Sequence, residues 1–87
     1  MSKLQEIETR LSALLASFDG PIPAYQLEDM KALCKAGEPG VALENFATQL
    51  DEYEIPISPG VFDEIELLGR AMGLDSKYWV ALRDRVA

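Results

Sequence analysis

The chain contains no histidine among its 87 residues. Histidine is the commonest general base and metal ligand near neutral pH, so its absence removes the usual centre of a hydrolytic or metal-dependent site. Cys34 is the only cysteine, which excludes an internal disulfide. Its place on an apolar helical face predicts a buried thiol rather than a nucleophile. The sequence also lacks a zinc ligand set and a glycine-rich phosphate loop. We therefore expect no catalytic residue, no metal and no cofactor.

Carboxylates alone can hydrolyse glycosides or bind a hard cation, so an acidic chain keeps these alternatives open. The most acidic segment, DEYEIPISPGVFDE, lacks the alternating oxygens and central glycine of an EF-hand loop. Catalytic carboxylate pairs normally lie in a cleft, and a chain this short has little room to build one. The sequence thus favours a protein that is not an enzyme.

Long apolar runs are also absent. No run approaches the roughly 20 apolar residues that a membrane-spanning helix needs, and the opening MSKLQEIETR is polar, unlike a signal peptide. A single cysteine fits a reducing compartment. Since 48% of the residues are apolar, the acidity does not indicate disorder. We expect one cytoplasmic domain over residues 1–87 that does not bind membranes.

Positive charge is missing from the middle of the chain. Residues 36–69 contain no lysine or arginine, whereas the rest of the chain carries seven acids and eight bases. The eight acids of this middle segment are Glu38, Glu44, Asp51, Glu52, Glu54, Asp63, Glu64 and Glu66. The net charge of −7 argues against nucleic-acid binding, because phosphate contacts require clustered bases.

Apolar spacing supports helices only. Ser2 and Gln5 form a capping-box pattern that starts the first helix, and a break rich in glycine and proline follows at residues 19–23. A second helix is expected over residues 24–36, with Gly37 ending it. The predicted buried residues are Leu4, Ile7, Leu11, Leu14 and Leu15 on the first helix, and Leu27, Met30, Leu33 and Cys34 on the second.

Prolines mark the remaining helices. Pro39 suits the first turn of a third helix, Ser58 and Pro59 suit the start of a fourth, and Asp75 or Ser76 suits the cap of a last one. The apolar positions of the third helix are Val41, Ala42, Leu43, Phe46, Ala47, Leu50 and Tyr53. The predicted core positions that follow are Val61 or Phe62, Ile65, Leu68 and Met72 on the fourth helix, and Trp79, Leu82 and Val86 on the last. These elements predict an all-α fold, a compact bundle of four to five short helices.

The acidic segment interleaves carboxylates with aromatic and aliphatic residues, which is typical of a protein-binding surface. Charge speeds the encounter with a basic partner, and an exposed tyrosine anchors it. The candidate partner-binding residues are Glu44, Thr48, Asp51, Glu52, Tyr53, Glu54, Asp63, Glu64 and Glu66. Ile55, Ile57 and Val61 are expected to be exposed among them. The alternatives are a merely solvated acidic face, and a core position for Tyr53.

Two segments carry a family resemblance. KAGEPGVALENFATQLDEYEIPIS, residues 35–58, and LLGRAMGLDSKYW, residues 67–79, resemble the MafI-family immunity proteins, small bacterial proteins encoded beside polymorphic or contact-dependent toxins. The preceding PAYQLEDMKALCKAG fits the same layout. The resemblance covers about half of the chain. It implies an all-helical protein that binds the toxin C-terminal domain of its own operon, often a nuclease with a basic surface, and blocks it.

Two other classes of protein remain as alternatives. Acyl carrier proteins are equally short, acidic and helical, and carry a serine after an aspartate, as Asp75 and Ser76 do here. Only eleven residues follow Ser76, however, whereas the carrier serine opens a helix in the first half of its domain. An acidic adaptor or subunit of another complex is the second alternative. The oligomeric state is open, since exposed apolar residues around Ile55 to Val61 would also suit a dimer.

Overall fold

The computed structural model describes residues 3–87, so the Ser2 half of the predicted capping box lies outside the described residues. The chain forms the helices α1 (Lys3–Ala16), α2 (Ala24–Lys35), α3 (Pro39–Glu52), α4 (Pro59–Ala71) and α5 (Lys77–Val80), and then a 3₁₀ helix, Ala81–Arg85. The predicted all-α bundle is confirmed. Within the described residues, none of these helices is both long and apolar enough to cross a membrane.

Helix α3 lies at the centre of the bundle and contacts every other helix, including the 3₁₀ helix. Its residues Ala42, Leu43, Phe46 and Leu50 are at most 1% exposed. The ring of Phe46 packs edge-to-face against Phe18, with 5.1 Å between the ring centroids. Around α3, the buried core comprises Ile7, Leu11, Leu14, Leu15, Ile22, Leu27, Met30, Cys34, Ile65, Leu68, Trp79 and Leu82.

Two apolar residues expected to be buried, Leu4 and Val41, are exposed, and Tyr53 is exposed rather than in its alternative core position. Leu4 is 49% exposed, because it lies one turn before Ile7, the first α1 residue that the core encloses. Val41 is 40% exposed because it lies off the α3 face that is centred on Phe46 and Leu50. Tyr53 is 51% exposed because α3 ends at Glu52, so Tyr53 lies beyond the last helical turn. The side chains of Leu33, Val61, Phe62, Met72 and Val86 are partly buried against the core.

The segment between α3 and α4 is buried where exposure was predicted. Ile55 and Ile57 are 7% and 2% exposed. The Ile57 N–H donates to the Arg85 carbonyl and the Ala87 N–H donates to the Ile57 carbonyl, both at 2.9 Å. This single parallel bridge holds the segment extended, so residues 55 and 57 point to the same side, into the core. The prediction of exposure was wrong because it rested on the neighbouring acids, whereas Ile57 pairs with the distant C-terminal residues 85–87.

Three of the helices end in the same hydrogen-bonded turn, the Schellman motif. At the end of α2, the Glu38 N–H donates to the Leu33 carbonyl at 2.9 Å; at the end of α4, the Leu74 N–H donates to the Gly69 carbonyl at 2.9 Å. Gly37 and Gly73 take the left-handed position in these turns, with φ of 85° and 70°. Gly37 therefore ends α2 as predicted.

Helix α3 ends in this turn without a glycine. The Ile55 N–H donates to the Leu50 carbonyl at 2.9 Å, and Glu54 takes the left-handed position with φ of 52°. A residue with a Cβ is disfavoured in this conformation by about 1–2 kcal/mol. Glu54 therefore carries a backbone strain that Gly37 and Gly73 avoid.

Trp79 closes the core against a glycine of α4. A Cβ built on Gly69 would lie 2.3 Å from Trp79 Cζ3 and 2.7 Å from Cε3. The ring is 2% exposed, and the Arg70 guanidinium lies 5.6 Å from its centroid on the outer side. The predicted role of Trp79 in the core is confirmed, and Gly69 makes its close approach possible.

We expect Gly69→Ala to destabilise the fold by about 1–3 kcal/mol, because the added methyl group overpacks the Trp79 site. Urea unfolding followed by tryptophan fluorescence measures this change. Gly60→Ala, in the first turn of the same helix, is the matched control: the nearest atom to its Cβ is Ser58 Oγ at 3.8 Å, and the unfolding midpoint should not fall. Equal stability of the two variants would contradict this packing.

Opposite substitutions at two helix ends should move stability in opposite directions. Gly73→Ala meets no atom within 4 Å, so its expected loss of about 1 kcal/mol comes from the left-handed backbone alone. Glu54→Gly removes the same strain from the folded protein, but glycine also gives the unfolded chain more conformational freedom, which offsets part of the gain. The substitution should therefore stabilise the fold by less than about 1 kcal/mol. Urea midpoints of both variants test this; a clear loss in Glu54→Gly would mean that its side chain stabilises the fold.

Candidate protein-binding surface

The outer edge of α3 and the short helix α5 enclose a shallow groove of about 280 Å³. Thr48, Asp51 and Glu52 line its α3 side, because residues 48, 51 and 52 share the face of α3 that points away from the core. Lys77 and Tyr78 line the opposite side, with the Lys77 ammonium 5.2 Å from the centroid of the Tyr78 ring. The groove is therefore acidic on one wall and carries a base on the other.

An arginine from the C-terminal 3₁₀ helix reaches the acidic end of α3. Arg85 Nε lies 3.3 Å from Asp51 Oδ1, and Arg85 Nη2 lies 3.9 Å from Glu54 Oε1. The side chain of Asp51 is 42% exposed and that of Glu54 is 76% exposed. One base is thus shared by two carboxylates, which leaves this end of α3 with a net negative charge.

The acids of α4 do not extend this surface. Glu64 is bound by Arg10 of α1 through two contacts, Arg10 Nε to Glu64 Oε2 at 3.0 Å and Arg10 Nη2 to Glu64 Oε1. The hydrogen bond and the charge of Glu64 raise the pKa of Arg10 above its ordinary value. Glu66 Oε2 pairs with Arg70 Nη2 at 3.1 Å, one helical turn along.

The nine predicted residues are therefore only partly brought together. Glu64 and Glu66 lie about 200° apart around α4, so they face opposite edges of that helix. Glu44, Glu52 and Asp63 make no ion pair within residues 3–87, and of these Glu52 and Asp63 are exposed. The sequence did not predict these ion pairs, because their bases, Arg10, Arg70 and Arg85, all lie outside residues 36–69.

Tyr53 is exposed, at the end of α3, rather than in the core. Its hydroxyl accepts a hydrogen bond from Gln26 Nε2 at 3.1 Å, and the same nitrogen donates to the Tyr25 hydroxyl at 3.2 Å. Tyr25 is 68% exposed. We call Tyr25 and Tyr53 the tyrosine pair. The sequence prediction missed Tyr25 and Gln26: Tyr25 lies off the buried face of α2, two residues after Pro23, and only the tertiary contact through Gln26 joins it to Tyr53.

Two other sequence features have structural roles. Asp75 Oδ1 accepts a hydrogen bond from the Lys77 N–H at 2.9 Å, and so Asp75 caps α5, whereas the Ser76 side chain makes no capping bond. Cys34 is 1% exposed, and its thiol donates to the Glu8 carbonyl at 3.6 Å. Among residues 3–87, no three potential metal ligands come together.

Comparison of the chain with models of protein families, with curated proteins and with solved structures found no match. The resemblance to MafI-family immunity proteins therefore stays a prediction.

Charge reversal should separate paired from unpaired acids on α4. Glu64→Lys places two bases side by side at the α1–α4 contact and should lower the urea midpoint, because Arg10 loses its bidentate partner. Asp63→Lys, the adjacent exposed acid, is the matched control and should leave the midpoint nearly unchanged. If both variants unfold at the wild-type urea concentration, the Arg10–Glu64 pair does not help to hold α1 against α4.

Proposed function

We propose that this protein is a cytoplasmic immunity protein that binds and neutralises a cognate bacterial toxin domain of the nuclease class. The observation that carries the proposal is the outer edge of α3, where Thr48 and Glu52 are exposed, together with the exposed Tyr53 at the end of the helix, where Arg85 is shared by two acids. The all-α fold and the segments that resemble MafI-family proteins support the same function.

Neutralisation by such a surface needs binding alone. A nuclease domain carries lysines and arginines that hold phosphates, and an acidic helix edge is complementary to them. Long-range attraction raises the association rate, and the contacts then fix the complex. In this mechanism Glu44 and Glu52 pair with bases of the toxin, Thr48 contributes a hydroxyl, and Tyr53 packs against the toxin surface.

The acids that are already paired take a smaller part. Asp51 and Glu54 share Arg85, so together they still offer negative charge to a partner. Glu64 is committed to Arg10, and Glu66 to Arg70. Asp63 is the α4 acid that stands exposed without an ion pair in the described part of the chain, and it forms a separate contact rather than an extension of the α3 edge.

Co-expression tests the function directly. We expect the C-terminal domain encoded by the gene immediately upstream to stop cell growth when it is expressed alone, and this protein to restore growth when both are expressed. Growth curves and immunoblots for both proteins are the measurements. Toxicity that persists although this protein is present would break the assignment to that toxin, and the acidic edge would then serve another basic partner, as in an adaptor.

Binding kinetics test the surface. Glu44→Lys combined with Glu52→Lys should slow association with the toxin domain by about 10-fold or more at low salt, since both changes replace attraction by repulsion. Wild-type association should itself slow as salt screens the charges.

The matched control combines Glu6→Lys with Glu38→Lys, two exposed acids on α1 and at the start of α3, which changes the net charge equally. A smaller effect of this control places the contact on the outer edge of α3. Equal effects of the two double variants would show that net charge alone, and not this surface, controls association.

A further inference from the structure

The tyrosine pair presents two exposed aromatic rings whose hydroxyls are hydrogen-bonded within the protein. Tyr25 and Tyr53 are 68% and 51% exposed, and one amide, that of Gln26, hydrogen-bonds both hydroxyls at 3.2 and 3.1 Å. A side chain that is held in place before binding loses less conformational freedom on binding. Tyrosine is also among the residues that contribute most at protein interfaces. The pair therefore has the properties of an interface anchor.

Glu54, the residue after Tyr53, has a left-handed backbone conformation that favours glycine. The turns after α2 and α4 use glycine in the left-handed position, whereas the turn after α3 uses Glu54, with φ of 52°. The Glu54 side chain is 76% exposed, and its nearest basic atom, Arg85 Nη2, is 3.9 Å away. An exposed pair at this distance contributes little to stability, so it does not offset the strain. Strained residues of this kind often serve binding.

Two carboxylate residues flank Tyr53 in the sequence. Glu52 and Glu54 precede and follow Tyr53, Glu52 makes no ion pair within residues 3–87, and Arg85 is shared with Asp51. A guanidinium suits such a surface best, because it stacks on an aromatic face and donates to a carboxylate at the same time.

We propose that Tyr25, Tyr53 and Glu54 form the anchor of the interface, and that they receive an arginine from the basic partner. This inference rests on the proposed function and narrows it from an acidic edge to one corner of the bundle, where the start of α2 meets the end of α3. The guanidinium packs on the rings of the tyrosine pair and pairs with the Glu54 carboxylate.

The test measures the dissociation constant of the toxin domain encoded by the upstream gene, by titration calorimetry, together with growth rescue. Tyr53→Ala should weaken binding by about 30-fold or more, which corresponds to about 2 kcal/mol, and Tyr25→Ala by about 10-fold. Glu54→Gly and Glu54→Gln should both weaken binding by about 10-fold, although the first removes the backbone strain and the second keeps it. Val41→Ala removes a 40% exposed side chain from the first turn of α3 and is the matched control, with a change within about twofold.

The outcomes separate this inference from the proposed function. If wild-type protein neither binds nor rescues, the proposed function fails. If wild-type protein binds while all four corner variants bind as tightly as Val41→Ala, the anchor lies elsewhere and only the inference fails. Urea midpoints show whether each variant is folded. If the Glu54→Gly protein is as stable as the wild type and still binds weakly, Glu54 does not act only through the stability of the fold. Tyr53→Phe, which keeps the ring but loses the bond to Gln26, should bind better than Tyr53→Ala.

Discussion

The burial of α3 is the constraint on which the rest of the structure depends. This helix contacts every other helix, and Phe46 at its centre is fully enclosed and packed against Phe18. Since one face of α3 is taken by the core, its acids can lie only on the remaining edge. The edge is rigid for the same reason: moving it would break apolar contacts with four helices at once. A binding surface on α3 is thus held by the part of the fold that is hardest to deform.

Electrostatics divide the acidic residues into two groups with different roles. Glu64 pairs with Arg10 of α1 and Glu66 with Arg70 of the same helix, so two acids of the segment without bases are neutralised by bases outside that segment. The end of α3 receives a single arginine for two carboxylates. The end of α3 therefore keeps a net negative charge after folding, and Tyr53 lies at this end.

Most of the fold was predictable because the signals are local. Helical periodicity, the glycine after α2 and the cap at Ser58 each depend on neighbours within one or two turns, and Ser58 Oγ does accept the Val61 N–H at 3.1 Å. The errors have a common cause in contacts between distant parts of the chain. Ile57 is buried by a bridge to Val86, and Tyr53 is oriented by Gln26 of another helix. Part of the candidate site was likewise predictable: Tyr53 and the α3 acids from sequence, Tyr25 only from tertiary structure.

The left-handed turn after α3 also has a dynamic consequence. Glu54 stores strain directly before Ile55 and Ile57, whose burial depends on one short bridge to the C-terminal residues. The strain in this turn lowers the free energy that local opening of the turn requires. A ligand that binds only the closed form shifts that equilibrium towards it. Occupation of the corner would then slow amide exchange across residues 53–57 and reduce proteolysis of this linker relative to the free protein.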